Sequence, residues 1–409
     1  MIQLFFAHWF MAFALLLWGT ALLIAVWAAR VAQFFNLRMP RVVGQPLADK
    51  FPMVAVIAPI KSVDANTSEN IAALLKQDYP NYRVIFTVQS ADDPVCDLIR
   101  AAETSHTRHR IDLVVAGTAA ARGQKVHNQL AAVEITTDQD VFLAFMDADA
   151  HPASNWLHAL VSMLNSHHIG ATTGYRFYVP SNGHAANAVI CVLNAMVGTL
   201  LGPYRRTVAW GGSMAIRRKE FFAYGVHDAW QGALSDDYVL TWCVKKNART
   251  KIHFVPQCIV ASQAAFDWPQ AWEFAVRQYR ITRVCAGRLW LTALAGAGLY
   301  ISALVTAPIA AIILALEGSG WWIVPTGVVA GLYGLSMYRG WTVLKAARRL
   351  LPGHTAAMDH AQFWFTWGMP AVYCVNALFL LAAALGRTIT WRGIRYEMKS
   401  RTETVVLSS

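Results

Sequence analysis

Val141-Phe142-Leu143-Ala144-Phe145-Met146-Asp147-Ala148-Asp149 is an apolar run that ends in two aspartates one residue apart. A short apolar run with a polar end suits a buried strand, and its last residues then emerge at the strand's carboxyl edge. The pattern repeats outward from it. Strands are expected at Val54–Pro59, Arg83–Gln89, Asp112–Ala116 and Ile169–Thr173, and helices at Asn66–Gln77, Pro94–Glu103, Lys125–Val133 and Asn155–Leu164. This alternation predicts an α/β domain with a mostly parallel sheet and helices on both faces. Such sheets bind ligands at the carboxyl ends of their strands, which is where both aspartates fall.

Both flanks of this domain are apolar. Of the 409 residues 56% are of apolar type and only 14% are charged, against about a quarter in soluble proteins. Trp9–Ala29 is nearly free of polar residues, and about 20 such residues span a bilayer. Met1–His8 has no Lys or Arg, so a secretory signal peptide fits poorly. Arg30, Arg38 and Arg41 follow the run, so the positive-inside rule puts the succeeding domain in the cytoplasm behind a signal anchor. Three further runs, Leu289–Leu316, Trp321–Tyr338 and Phe363–Leu385, occupy the last third, with Trp290, Trp321, Trp341 and Trp391 near their ends. Three spans would leave the tail that holds Arg387, Arg392, Arg395, Lys399 and Arg401 outside, against the same rule. A re-entrant segment, or an interfacial helix before Pro370, reconciles the two.

The net charge of +11 suits phosphate-bearing substrates or anionic lipid. No nucleic-acid-binding pattern is visible, and no nucleic acid is expected as a partner. The six cysteines form no CxxC pair and read as reduced and mostly buried.

Four motifs carry candidate chemistry. Asp92 and Asp93 follow the second strand, where a carboxylate accepts hydrogen bonds from a nucleobase or a ribose; they serve equally as caps of the helix that Pro94 starts. Asp147 and Asp149 have the spacing to hold one hard cation, Mg²⁺ or Mn²⁺, which neutralises a leaving diphosphate. Asp236 and Asp237 open a predicted helix, placed to deprotonate an attacking hydroxyl or to cap. In Arg277-Gln278-Tyr279-Arg280-Ile281-Thr282-Arg283, Arg280 and Arg283 share a helical face suited to a diphosphate, or to anionic lipid. Lys125 can reach a phosphate, and Trp210-Gly211-Gly212 permits close backbone approach to a ligand.

In this order the motifs resemble the ceramide glucosyltransferase family, a branch of the GT-A fold related to the large family-2 inverting glycosyltransferases. The likeness covers nearly the whole chain. It rests on Pro59-Ile60-Lys61-Ser62-Val63-Asp64, Gln77-Asp78-Tyr79-Pro80, Val88-Gln89 with Asp92-Asp93-Pro94, Lys125 with Asn128, Asp236-Asp237-Tyr238, and Thr390-Trp391-Arg392-Gly393-Ile394-Arg395-Tyr396. Three departures stand out. Val284 replaces a tryptophan after Arg283, Asp147-Ala148-Asp149 is fuller than the family's single aspartate, and Gly174–Pro180 looks more like bacterial relatives.

The resemblance implies a membrane-embedded transferase with four parts: an N-terminal anchor over 1–35, a cytoplasmic GT-A domain over 51–285, about three membrane segments over 286–386, and a basic tail over 387–409. It implies inverting transfer from a nucleotide sugar, a UDP-sugar, to a lipid hydroxyl at the cytoplasmic face of the inner membrane. Asp92 and Asp93 then hold the nucleoside; Lys125, Arg280 and Arg283 the diphosphate; and Asp147 and Asp149 the cation. Asp237, beside Asp236, is then the base, and Trp210, Gly211, Gly212 and Gln278 face the acceptor. Ceramide, diacylglycerol, a hopanoid and a polyprenyl carrier all remain open as acceptor. The competing readings are a processive polysaccharide synthase of the same fold and a non-catalytic membrane scaffold.

Overall fold

The computed structural model describes residues 2–43, 50–64, 66–105, 108–202, 207–246 and 250–408, and, within the first helix, the side chains over 11–39. The side chains of Trp9 and Arg41 lie outside the described residues.

Seven strands form the main sheet: β1 (Val54–Pro59), β2 (Tyr82–Val88), β3 (Ile111–Val115), β4 (Phe142–Met146), β5 (Ile169–Pro180), β6 (Ser213–Arg217) and β7 (Lys251–Ala264), in the order β3-β2-β1-β4-β6-β5-β7. β1 to β4 are parallel, and so are β5 and β7; β6 runs antiparallel to both its neighbours. The expected α/β class and every expected strand are present. β6 and β7 are additions, and β5 continues seven residues past the expected Thr173.

The strands are continuous apolar runs because both faces of the sheet are covered. Val56, Val84 and Phe86 face α2 (Thr67–Leu75), α3 (Val95–Ser105) and α5 (Trp156–Ser162). Ile57, Ile85, Leu143 and Phe145 face α4 (Gln124–Glu134), α7 (Arg218–Ala223), α8 (Val226–Trp230) and α9 (Asp236–Lys246). The remaining helices are α1 (Ile2–Val43), α6 (Ala185–Gly198), α10 (Trp268–Cys285), α11 (Gly287–Leu316), α12 (Ile323–Leu350), α13 (Thr355–Asp359), α14 (Gln362–Phe365) and α15 (Met369–Ala383).

Among the described residues, two helices are long and apolar enough to cross a bilayer, Met11–Met39 and Gly287–Leu316. They pack with α12 through Ala14, Trp18, Ala21, Ala303, Ala307, Val328 and Leu332, while Leu16, Leu23, Ile312 and Leu316 point outward, exposed. The second C-terminal run is longer than expected: α12 continues past Tyr338 to Leu350. The third is broken into α14 and the 15-residue α15 by a turn at Thr366–Gly368.

α15 does not carry the chain away from the α/β domain. It leaves Gly340 on α12, where the Phe365 carbonyl lies so close that any Cβ would collide with it, and runs back to pack Phe379 on Trp272 of α10. The residues after it, read from the sequence as a basic tail, form an antiparallel sheet of β8 (Thr388–Trp391), β9 (Ile394–Ser400) and β10 (Glu403–Ser408). Along β9 the buried Ile394, Tyr396 and Met398 alternate with Arg395, Glu397 and Lys399. That apolar face packs against Leu234, Ile281 and Cys285, and the Tyr396 hydroxyl accepts the Gln124 N–H at 3.3 Å. The tail therefore packs directly on the α/β domain. All six cysteines are free, and five are buried.

Candidate functional site

The carboxyl ends of β1 and β4 open into one cavity of about 2680 Å³. Asp147 leaves β4 beside the loop that enters β6, where its N–H donates to the Gly212 carbonyl at 3.2 Å. A side chain at Gly212 would strike the Trp210 indole and the Asp147 carboxylate, and one at Gly211 would strike the Asp236 carboxylate. Glycine is what lets this loop lie flat against the acidic groups.

Two cations knit the carboxylates together. Lys125, on the first turn of α4, reaches Asp147 at 2.6 Å and Asp236 at 2.9 Å. Burial alone would lower its pKa, but the two carboxylates outweigh that and hold it charged. Arg176, on the extension of β5, meets Asp149 at 2.7 Å and Asp147 at 3.3 Å, with its guanidinium 5.1 Å from the Trp210 ring centre. The Asp149 pKa is lowered: burial opposes this, and Arg176 chiefly, with Arg392, overcomes it. Sequence reasoning missed Arg176; its only signal was an arginine inside a stretch otherwise fit for a buried strand.

The two aspartates that open α9 have different surroundings. Asp236 is buried, bound by Lys125 and by the Gln129 amide at 2.9 Å. Asp237 accepts the Tyr238 N–H at 2.7 Å and the Gly211 N–H at 3.3 Å, together with the Ser235 hydroxyl, and lines the cavity. Burial, then the neighbouring Asp236 charge, pushes its carboxyl up to about 6.

Trp210, Gly211 and Gln278 also line the cavity. Gly212 does not, and neither do four other predicted residues. Asp93 caps α3 through the Val95 N–H and braces the Ser62 N–H at 3.1 and 3.0 Å. Asp92 is exposed and pairs locally with Ser90. Arg280 donates to the Thr388 carbonyl at 2.6 Å and Arg283 to the Gly386 carbonyl, which ties α10 to the C-terminal sheet. Cations that do line the cavity include Arg277, Arg288, Arg392 and Arg401. Arg392 is at a tight β8–β9 turn with Gly393, both at positive φ, so the C-terminal sheet supplies part of the wall.

Asp147 and Asp149 fit a hard divalent cation by donor chemistry: two adjacent carboxylates at a cavity wall, with room for phosphate and water oxygens. The same oxygens meet Arg176, and the described residues include no group of three or more metal-ligating side chains.

Residues 13–404 match the model of glycosyl transferase family 21. The chain belongs to that family. It is a glycosyltransferase, and the expected GT-A-type domain is the one described above. Among solved structures it is similar to mannosyltransferase PcManGT from Pyrobaculum calidifontis in complex with GDP-Man and Mn2+. The identity is 17% and the TM-score 0.47, covering 90% of this chain and 97% of that one.

Proposed function

We propose that this family 21 member transfers a sugar, with inversion, from a UDP-sugar to the hydroxyl of a membrane lipid at the cytoplasmic face. The observation that carries this reading is the continuity of the cavity. The space that exposes Asp147, Asp149 and Asp237 also runs between Ala25 and Ala28 of α1 and Gly296 of α11, the two apolar helices. A lipid held there reaches the carboxylates without leaving the bilayer. α1, α11 and α12 cross the membrane in this reading, and α14 with α15 re-enters from the cytoplasmic side. That keeps the basic C-terminal sheet inside, as the positive-inside rule asks.

Asp237 is the base. Asp236 is saturated by Lys125 and Gln129, whereas Asp237 faces the cavity with a carboxyl tuned to about 6, close to the working pH that general-base catalysis favours. The acceptor oxygen attacks the anomeric carbon, its proton passes to Asp237, and the bond to the diphosphate breaks on the opposite side. Lys125 and Arg176 neutralise the departing phosphates. A divalent cation on Asp147 and Asp149, when bound, adds Lewis-acid stabilisation of the same group. Asp93 shapes the Lys61–Ser62 wall by which the nucleoside enters, and the Arg280 and Arg283 contacts hold the C-terminal sheet over the mouth.

Mass spectrometry of lipid extracts from cells that make the protein tests this. A lipid heavier by one hexose-type unit, present only with the intact protein and absent with Asp237→Asn, is expected. A polymer of many sugars would favour the processive synthase, and an unchanged lipid profile with folded protein in the membrane would count against the lipid acceptor.

A further inference from the structure

α12 carries an arginine that turns into the cavity. Ile323–Tyr338 contains no charged residue, and Arg339 follows it, about 16 Å before the helix ends at Leu350 at 1.5 Å per residue. Nearby Trp341 is exposed, with the Lys345 ammonium 5.0 Å from its ring centre; such a pair marks the interfacial level of a bilayer. Arg339 turns the other way and lines the cavity. Its Nη1 donates to the Tyr373 hydroxyl at 2.8 Å. Its Nε is buried and without a partner, and it pairs with no carboxylate among the described residues.

Guanidinium stays charged at any working pH. A charge held among membrane helices is retained where it meets an anion. Among the described residues no carboxylate meets Arg339, which leaves that place for an anion carried by a ligand. From this point a polar ladder descends to the reaction centre. Tyr373 and Asn376 lie one turn apart on α15, Asn376 bonds Tyr279 of α10, and Thr282, one turn on, meets the Tyr238 hydroxyl at 2.8 Å, next to Asp237.

We propose that Arg339 and Tyr373 form a headgroup subsite for a lipid-borne phosphate, seated at the membrane end of the cavity that leads to Asp237. This rests on the reading of the cavity as a lipid site. The phosphate takes charge-assisted hydrogen bonds from the guanidinium and one from the tyrosine, and the acyl chains lie between α1 and α11.

Native mass spectrometry of the full-length protein, released from nanodiscs that contain phosphatidylglycerol and neutral diacylglycerol, decides the matter. The wild type is expected to retain one phosphate-bearing lipid. Arg339→Gln should retain it about tenfold less or worse, as the loss of a charge-assisted hydrogen bond implies. Arg339→Lys should recover part of the loss. UDP-sugar binding by each variant serves as the check that it is folded. Equal retention in wild type and Arg339→Gln, retention of the neutral lipid instead, or binding of inorganic phosphate with no lipid bound would overturn the proposal. If no lipid is ever glycosylated while phosphate-lipid retention still depends on Arg339, the lipid-acceptor reading fails and the subsite stands.

Discussion

The same sheet ends in a cluster of cations and aspartates at each of its two edges, and the two clusters differ in what they leave unmade. At the amino ends of the parallel strands, Arg83 donates to Asp140 at 2.7 and 3.0 Å, to Asp112 at 2.9 Å and to the Ile135 carbonyl at 3.0 Å. Asp140 also accepts the Thr137 N–H. Every Arg83 nitrogen has a partner. At the carboxyl ends Lys125, Arg176, Asp147, Asp149 and Asp236 use the same chemistry, but the Arg176 Nε and the Gln129 Oε1 have no partner, and the Asp149 side chain is 41% exposed to the cavity. A sealed network fixes a fold; a network with spare capacity at a cavity wall is able to bind. Charge pairing alone does not distinguish the two, and satisfaction does.

The sharpest way to break this contrast is at Arg83. Arg83→Met leaves the buried Asp140 without its cation and Asp112 with Arg110 alone, so we expect a loss of roughly 3–5 kcal/mol of stability, read as a lowered unfolding midpoint, while turnover per folded molecule is retained. Lys125→Met should behave in the opposite sense. Turnover falls by about 10²–10³-fold, the scale of losing one transition-state electrostatic contact, with a smaller drop in midpoint than Arg83→Met. A Lys125→Met protein that unfolds as readily as Arg83→Met and turns over normally would erase the distinction. Gly212→Ala sharpens it further. The new methyl group meets the Trp210 indole and the Asp147 carboxylate, and the displacement should cost about tenfold in kcat.

The smallest effect is the one on pH. The Asp237 carboxyl, pushed up to about 6 by burial and then by Asp236, must be ionised to act as a base. Turnover should therefore rise about tenfold per pH unit below 6 and level off above it. A pH–rate profile that is flat down to pH 5 would remove Asp237 from that role.

The parallel half of the sheet was legible because each strand is an apolar run closed by turn residues, and the spacing of Asp147 and Asp149 marked its reactive edge. β6 was not, because Ser213–Arg217 is short and its only cue, Met214 and Ile216 in alternation, follows a glycine pair. The C-terminal sheet was hidden for the opposite reason. Its outward Arg395 and Lys399 dominate the composition, although Ile394, Tyr396 and Met398 repeat with the period of a strand. Arg176 had only a weak local signal, an arginine in an otherwise apolar strand, and the pairing of β5 with β7 and the approach of β6 are what carry it to Asp149. The two arginines of α10 show the limit of motif reading. Their helical spacing was right, but the side chains meet backbone carbonyls of a sheet that the sequence reading had as a tail.

The most direct test pairs two readings on one variant. UDP-sugar binding by calorimetry and sugar transfer to extracted membrane lipid are measured for wild type and Asp237→Asn in nanodiscs. We expect donor affinity within about threefold and transfer reduced by about 10²–10⁴-fold, the span of a general base. Transfer at the wild-type rate, or loss of donor binding along with it, would contradict the assignment of Asp237 as the group that takes the acceptor's proton.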